Sequence, residues 1–420
     1  MSKTIRNVKG TRDLLPPSTA LWTAVEEVAR RVFGLYGYQE IRTPILEHTD
    51  LFVRGIGAST DIVGKEMFSF EDRKGRNLSL RPEGTAPVVR AFIQRGEREW
   101  VLPARLFYIG QHFRYERPQK GRYRQFQQIG AELLGDPGPF SDAELIVMLV
   151  AFLSCLGFRD LEVAVNTVGD PDSRRRYRQA LLEYLSPLRE ALGEESRKRL
   201  ETNPLRILDT KSPSEKELLR DAPGLEVFLN RESREHFETV CSLLGRSGVE
   251  YRIEPHLVRG LDYYSRTVFE ISATGLGAHD AIVGGGRYDG LLAALGGPDL
   301  PAIGFAIGQD RLMEILPQDF QSEAAGTRPV VVIPIEPLGA EAAWEVAAEL
   351  RAGEVPAVAE LTGSAVKSAL KRAARAGTRW VVLVGEDELS QDGVVLRDLE
   401  AGEQSFVRRA ELVEGLRGTR

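Results

Sequence analysis

"ARLFYIGQHFRYERPQKGRYRQFQQIGAELLG", residues 104–135, is the stretch on which the fold turns. Its first part, "ARLFYIGQHFRYE", alternates like a strand, and "YRQFQQIGAELLG" reads as a second strand on the way back. Between them "KGR" at 120–122 is the turn signal, so the spacing predicts a β-hairpin. Hairpins join antiparallel strands, whereas parallel neighbours need a long crossover, so an antiparallel sheet core is expected. The tip has a second property. Arg114, Arg117, Lys120, Arg122 and Arg124 fall within eleven residues against one acid, Glu116, with Phe113, Tyr115, Tyr123 and Phe126 set among them.

This concentration of positive charge sits in an acidic chain, with 55 Lys and Arg against 61 Asp and Glu and a net charge of -6. That balance argues against indiscriminate nucleic-acid binding and leaves room for a local basic site. A guanidinium is a planar, permanently charged fork that matches phosphate oxygens in pairs. On a strand it is better aimed than on a mobile loop. Arg114 and Arg122 are therefore candidates to hold a polyphosphate, and Phe126 to stack on a purine. By itself such a charge run also fits a solvated, salt-bridged hairpin.

The 420 residues, 42% hydrophobic and 28% charged, describe a soluble globular protein of two or three domains. Two cysteines, Cys155 and Cys241, make neither a disulfide framework nor a metal cage, which fits a reducing compartment. "MSKTIRNVKG" has no apolar segment of the secretory kind, and a cytoplasmic location is expected. The longest apolar run, Leu145 to Phe158, is too short to span a bilayer. It follows a capping-box pattern, Ser141 to Glu144, and reads as a buried helix, so no membrane partner is expected.

Outward from the hairpin, Pro16-Pro17-Ser18 opens a helix with Leu21, Val25, Val28 and Val32 on one face. "YQEIRTPIL" reads as a strand in which Pro44 suits an edge or a bend, and "NLSLRPEGT" also alternates. Residues from about 171 to 245 are charged and helical in pattern and read as an insertion between two parts of the sheet domain. Strand-like, Gly-rich sequence resumes at "YRIEPHLVRGLDYYSRTVFEIS", followed by "AIVGGGRYDGLL" and "AIGFAIGQDRLMEIL". "QSEAAGTRP", 321–329, reads as a linker. Beyond it strands and helices alternate, from "VVVIPI" to "WVVLVG", as in an α/β domain of roughly 90 residues. The fold expected is thus α+β, with domains at 1–325 and 326–420.

The remaining chemistry is dispersed. "RPEGT" carries Glu83, able to bind an ammonium, and Thr85, able to add a hydroxyl; alone it also fits an exposed turn. "VRGLDYYSRT" places Arg259 near Tyr263 and Tyr264, a pattern that also fits an amphipathic strand. "VGGGRYDG", 283–290, matches neither the dinucleotide fingerprint nor the phosphate loop, but its glycines permit close backbone approach. In "GFAIGQDRL" a helix starting near Gly308 puts Arg311 in its first turn, where a cation opposes the helix dipole and needs another reason, such as an anionic ligand. His48, His112, His236, His256 and His279 show no metal-ligand spacing, and no resident metal site is expected. Lys367, Lys371 and Arg375 recur every four residues and form a basic stripe suited to phosphates, or simply a solvated helix face.

The joint order of "KGTRDLLP", "RPEGT", "FRYERPQKGRYRQF", "LVRGLDYYSRTVFE", "GGGRYDGL" and "GFAIGQDRL" resembles the class II aminoacyl-tRNA synthetases, and among them the histidyl-tRNA synthetase family, over nearly the whole chain. The resemblance implies a class II antiparallel sheet, a C-terminal anticodon-binding domain and a homodimer. It implies histidine, ATP with Mg²⁺ and tRNA(His) as ligands, and transfer of histidine to the 3' end of the tRNA through an adenylate. For ATP it implies Arg114 on the α-phosphate, Glu116 and Arg122 orienting the nucleotide, Phe126 stacked on adenine and Arg311 on its other face. For histidine it implies Glu83 and Thr85 at the α-amino group, with Gln128, Glu132, Tyr263, Tyr264 and Tyr288 forming the rest of the pocket. Arg259 would bridge the substrate carboxylate and the α-phosphate, so Arg259 and Arg114 are the catalytic candidates. Arg117 and Gln119 would face the tRNA end. Many bacterial members read Phe-His-Gln where this chain has Phe126-Gln127-Gln128, which leaves the base for the transfer step open. A non-catalytic relative of the same fold, the regulatory subunit of ATP phosphoribosyltransferase, typically loses the ATP arginines, "RGLDYY" or the C-terminal domain; this chain has all three.

Overall fold

The computed structural model describes residues 4–417 apart from 58–59, 120, 209, 211, 258–262, 274–280, 325–327, 336–337 and 339. The chain divides into two compact units, Met1–Ala324 and Ala325–Arg420.

In the first unit the helix Ser18–Leu35 buries Trp22, Val25, Ala29, Val32 and Phe33 along one face. "YQEIRTPIL", read as one strand, is two. β1 (Gln39–Glu40) ends before Pro44, and β2 (Leu46–His48) resumes after it; the proline has no N–H to donate to a ladder. β2 joins β3 (Phe68–Glu71) and β4 (Asn77–Leu80) in a small sheet of order β2-β4-β3.

The hairpin is β5 (Ala104–Phe113) and β6 (Gln125–Leu134), in register from Ala104↔Leu134 to Phe113↔Gln125. Its turn is closed by mutual backbone bonds between Gln119 and Arg122, at 3.1 and 2.9 Å. Gly121 takes φ +69° there, which a side chain would resist. The strands β7 (Leu161–Thr167), β8 (Tyr251–Ile253), β9 (Ser265–Ala273), β10 (Val283–Arg287) and β11 (Ala302–Gly308) complete a sheet of order β1-β5-β6-β11-β10-β9-β7-β8. The inner strands, β5 to β7 in that order, are all antiparallel, as the hairpin requires. Both edges depart from the expectation: β1 pairs with β5, and β8 with β7, in parallel. In each case a helix-bearing connection is long enough for the crossover.

Strand alternation divides the sheet into two faces. Ile129, Ala131 and Leu133 of β6 meet the helices Ser18–Leu35 and Pro139–Cys155, and Phe33 contacts Phe107, Phe152 and Phe305 at ring distances of 5.6, 5.5 and 5.7 Å. Gln128 and Glu132 therefore point to the other face. The Pro139–Cys155 helix is buried as expected, but not capped as expected. Pro139 starts it behind Gly138, Ser141 donates to Asp136, and Glu144 pairs with Arg105. Proline preorganised for the first helical position sets the start earlier than the Ser-Glu pattern suggests.

The helical insertion also ends sooner than 245. Helices Pro171–Leu185, Glu194–Thr202 and Pro213–Leu218 surround a small core of their own, with Leu181, Leu185 and Ile207 fully buried. The Arg231–Arg246 helix instead sends Val240 and Leu244 into the main core. The helix Gln318–Ala324 runs into the first part of the stretch read as a linker, 321–329.

In the second unit β12 (Val330–Pro334), β13 (Ala357–Ala359) and β14 (Trp380–Val384) are parallel, and β15 (Gly393–Asp398) and β16 (Gln404–Arg408) add an antiparallel hairpin, in the order β13-β12-β14-β15-β16. The helices Ala340–Ala352, Val366–Arg375 and Arg409–Arg417 accompany this sheet.

Candidate active site

A cavity of ≈ 410 Å³ opens where the hairpin, β9, β10 and β11 converge. At one end are hairpin side chains. Arg114 Nε donates to the Pro82 carbonyl (2.9 Å), and its guanidinium lies 5.4 Å from the centre of the Phe126 ring. Glu116 stands between two arginines, 3.8 Å from Arg114 Nη1 and 3.7 Å from Arg122 Nη1. Opposite them the Gln309–Glu314 helix begins after Gly308 and carries Arg311 in its first turn. Arg311 donates to the Ala281 carbonyl (2.9 Å) and passes close to Gly121 at the hairpin turn, where a Cβ would lie 3.3 Å from Arg311 Cγ. The two chain segments thus enclose a basic, aromatic slot.

The other end is lined by acids and phenols. Glu83 is buried and accepts the backbone N–H groups of Thr85 (2.8 Å) and Ala86 (2.9 Å) at the start of the Thr85–Arg95 helix. Burial raises its pKa, against the pull of those two bonds. Glu132 is fully buried and receives the Thr85 hydroxyl on one oxygen (2.7 Å) and the Tyr288 hydroxyl on the other (2.5 Å). Burial pushes its carboxyl up to about 8, with the hydroxyl bonds opposing and the Glu83 charge adding to the rise. Tyr263 lies 4.7 Å from Tyr264 and 5.5 Å from Tyr288, ring to ring. Gln128 faces the cavity with a buried Oε1 that has no partner.

The glycines make this packing possible. A Cβ on Gly304 would lie 1.7 Å from Glu132 Oε2, and one on Gly286 would lie 2.8 Å from the Tyr264 ring. The triple glycine is therefore a surface for close approach. Arg287 beside it is a strut: it is fully buried, paired with the buried Asp142, and donates to the Asp136 (2.8 Å) and Gly138 (3.0 Å) carbonyls.

Of the candidates drawn from sequence, Glu83, Thr85, Arg114, Glu116, Arg122, Phe126, Gln128, Tyr263, Tyr264, Tyr288 and Arg311 line this one cavity. Glu132 lies behind its wall, reached through Thr85 and Tyr288. Arg259 lies outside the described residues. Arg117 and Gln119 are exposed on the hairpin loop, away from the lining. Lys367, Lys371 and Arg375 are exposed on a helix of the second unit whose opposite face buries Ala369 and Ala373. Gln127 is absent from the lining, since strand alternation turns it away from Phe126 and Gln128, so the departure from Phe-His-Gln takes no base out of the cavity. Glu270 and Asp310 also line it and were not singled out from sequence, and so does Tyr123, named there only among the aromatics of the hairpin. His112 and His236 are buried, His48 and His256 exposed, and His279 lies outside the described residues. Among the described residues no group of three or more His, Cys, Asp or Glu could hold a metal, and no helix is long and apolar enough to cross a membrane.

The family model described as histidyl-tRNA synthetase matches residues 10–312, and the one described as anticodon binding domain matches 329–419. A histidine--tRNA ligase of Desulforudis audaxviator is 47% identical over 413 residues, covering 98% of each chain. One from a Synechococcus strain is also 47% identical over 413 residues, again with 98% of each covered. The crystal structure of apo S. aureus histidyl-tRNA synthetase superimposes with a TM-score of 0.80 at 32% identity, covering 98% of this chain and 100% of that one.

Proposed function

The chain belongs to the histidyl-tRNA synthetase family, and from that premise we propose how its residues divide the work of a histidine--tRNA ligase. It is a class II aminoacyl-tRNA synthetase: it activates histidine with ATP to histidyl-adenylate and pyrophosphate, then transfers histidine to the 3' end of tRNA. One observation carries the assignment of roles. A single cavity has a cationic, aromatic end formed by Arg114, Arg122, Phe126 and Arg311 and an acidic, phenolic end formed by Glu83, Thr85, Tyr263, Tyr264 and Tyr288.

The first end suits a nucleoside triphosphate. Arg114 and Arg122 neutralise phosphate oxygens, Glu116 holds the two arginines in place, and Phe126 and Arg311 take the two faces of adenine. Magnesium arrives with the nucleotide, on its phosphates. The second end suits histidine. Glu83, the Thr85 hydroxyl and the unpartnered Gln128 Oε1 receive the α-ammonium, while Tyr264 reads the ring, whose neutral form has one N–H donor and one acceptor nitrogen, and Glu132 acts from behind the wall by orienting the Thr85 and Tyr288 hydroxyls. Tyr263 and Tyr288 complete the walls.

In the first step a histidine carboxylate oxygen forms a bond to the α-phosphorus, and the bond from that phosphorus to the bridging oxygen breaks, releasing pyrophosphate. Two anions must meet, so catalysis consists mainly of positioning and charge stabilisation. Arg114 supplies part of that, and Arg259, assigned by family resemblance, bridges carboxylate and phosphate. In the second step the terminal ribose hydroxyl of the tRNA attacks the acyl carbon, and AMP leaves with the bonding electron pair. We assign tRNA(His) as the acceptor, Arg117 and Gln119 to its 3' end and the Lys367, Lys371 and Arg375 stripe to its phosphates. We also assign a cytoplasmic location and a homodimer; exposed Ile45, Leu46 and Phe70 on and beside the small sheet are available for the second copy. The regulatory-subunit reading is not favoured, since near-full-length relatives are ligases and the ATP arginines are present.

The test is histidine-dependent exchange of labelled pyrophosphate into ATP. A catalyst makes label appear in ATP only when histidine is added; no exchange from the folded protein would overturn the assignment.

A further inference from the structure

Phe126 and Arg311 flank the slot assigned to adenine, yet they come from segments distant in sequence. The backbone ladder between β6 and β11 ends at Gln128↔Gly308, so both side chains lie beyond the last pair, where strands are free to diverge. Asp310 bridges that gap. Its carboxylate is almost fully buried and accepts the Gln127 backbone N–H on Oδ2 at 2.8 Å, on the peptide that follows Phe126. Its other oxygen takes Arg12 Nη2, also at 2.8 Å.

Arg12 is held in turn. Its guanidinium stacks 4.2 Å above the Tyr123 ring, lies 5.5 Å from Trp22, and donates Nη1 to the Tyr123 hydroxyl at 3.1 Å. Beside it the Arg124 N–H donates to the Gly10 carbonyl at 2.7 Å, which fastens the N-terminal segment to the hairpin. Three pieces of chain, the segment around Arg12, the returning hairpin strand and the Gln309–Glu314 helix, therefore meet at one carboxylate, immediately before Arg311.

We propose that Arg12 and Asp310 are positioning residues that set the width of the adenine slot between Phe126 and Arg311. The proposal rests on the reading of that slot as the ATP site. Neither residue touches the nucleotide in this scheme. They fix the separation of two walls that must close on a flat ring, and such preorganisation is what a binding site needs from its supporting residues. The histidine end, built on Glu83, Glu132 and Tyr288, shares none of these bonds.

The experiment is steady-state pyrophosphate exchange with Arg12→Gln, Arg12→Lys and Asp310→Asn. Asp310→Asn keeps an acceptor for Gln127 but turns an amide N–H₂ toward the guanidinium. Loss of one charge-assisted bond should raise KM for ATP by about tenfold, with KM for histidine changed less than about twofold. Arg12→Lys should recover part of the loss, because it restores the charge but not the flat stack. Adenosine should inhibit more weakly in the variants, whereas tripolyphosphate, which needs only the Arg114 end, should inhibit as it does the wild type. Equal rises in both KM values, or equal weakening of adenosine and tripolyphosphate, would make these residues general struts and overturn the proposal. Should Asp310→Asn fail to fold, the part-exposed Arg12 variants decide by the same readouts. Wild-type protein without exchange would instead remove the ATP reading beneath it.

Discussion

Glu132 accepts a hydroxyl on each oxygen, from Thr85 and Tyr288, and among the described residues no cation contributes to its shift: burial, with the Glu83 charge adding, pushes its carboxyl up to about 8 from 4.5. Between those two values the folded state binds more protons than the unfolded chain. The stability associated with a neutral Glu132 is complete below about pH 4.5 and is lost as pH rises toward 8, at up to about 1.4 kcal/mol per pH unit. Glu132→Gln should therefore stabilise the protein relative to wild type more at pH 8.5 than at pH 5.5. Denaturant unfolding at both values checks this, and identical pH dependence would mean that the carboxylate is compensated. Arg114 sits at the other end, fixed by Pro82 and Phe126. Arg114→Ala should abolish histidine-dependent exchange while the fold survives, a loss of roughly 3–4 kcal/mol if the contact is made mainly in the transition state. Near-normal exchange in a folded variant would remove the phosphate role. Most of these residues could be named from sequence because each belongs to a compact motif. Asp310 and Arg12 could not, because the bond that matters joins positions 298 residues apart.

Among the elements, β10 is held to the Pro139–Cys155 helix by the Arg287–Asp142 pair, both partners fully buried. Asp142 also binds His236 at 2.8 Å, which brings the Arg231–Arg246 helix to the same point. Breaking a buried pair leaves an uncompensated charge, so Arg287→Met should cost about 3–5 kcal/mol of stability, far more than a surface ion pair. Chemical denaturation measures it; a loss below about 1 kcal/mol would show that the pair contributes little. Because Tyr288 follows Arg287, the same variant should weaken histidine binding. The hairpin was legible from its alternation and turn, and the Pro139–Cys155 helix from its apolar run. The capping box was misread, because a Ser-Glu spacing cannot reveal that Asp136 and Arg105 have already claimed both side chains.

For the whole molecule, the Met1–Ala324 unit contains the entire cavity, while the basic stripe belongs to Ala325–Arg420. A fragment ending at Ala324 should form histidyl-adenylate but charge tRNA poorly. Adenylate formation and aminoacylation assayed side by side decide this; charging equal to that of the full chain would take the tRNA role from the second unit.

Periodicity, turn chemistry and motif order are local properties, and they were enough to specify the hairpin, the sheet-centred α+β class, the alternating C-terminal unit and the family. Local signals could not specify what depends on remote partners. The parallel edges β1 and β8 depend on which strand each crossover reaches. The insertion ends before residue 231 because Val240 and Leu244 find the main core. Only the tertiary structure puts Glu132 behind Thr85 and Tyr288 and Asp310 between Arg12 and Gln127, because burial and hydrogen bonding are set by residues that the chain brings together only when it folds.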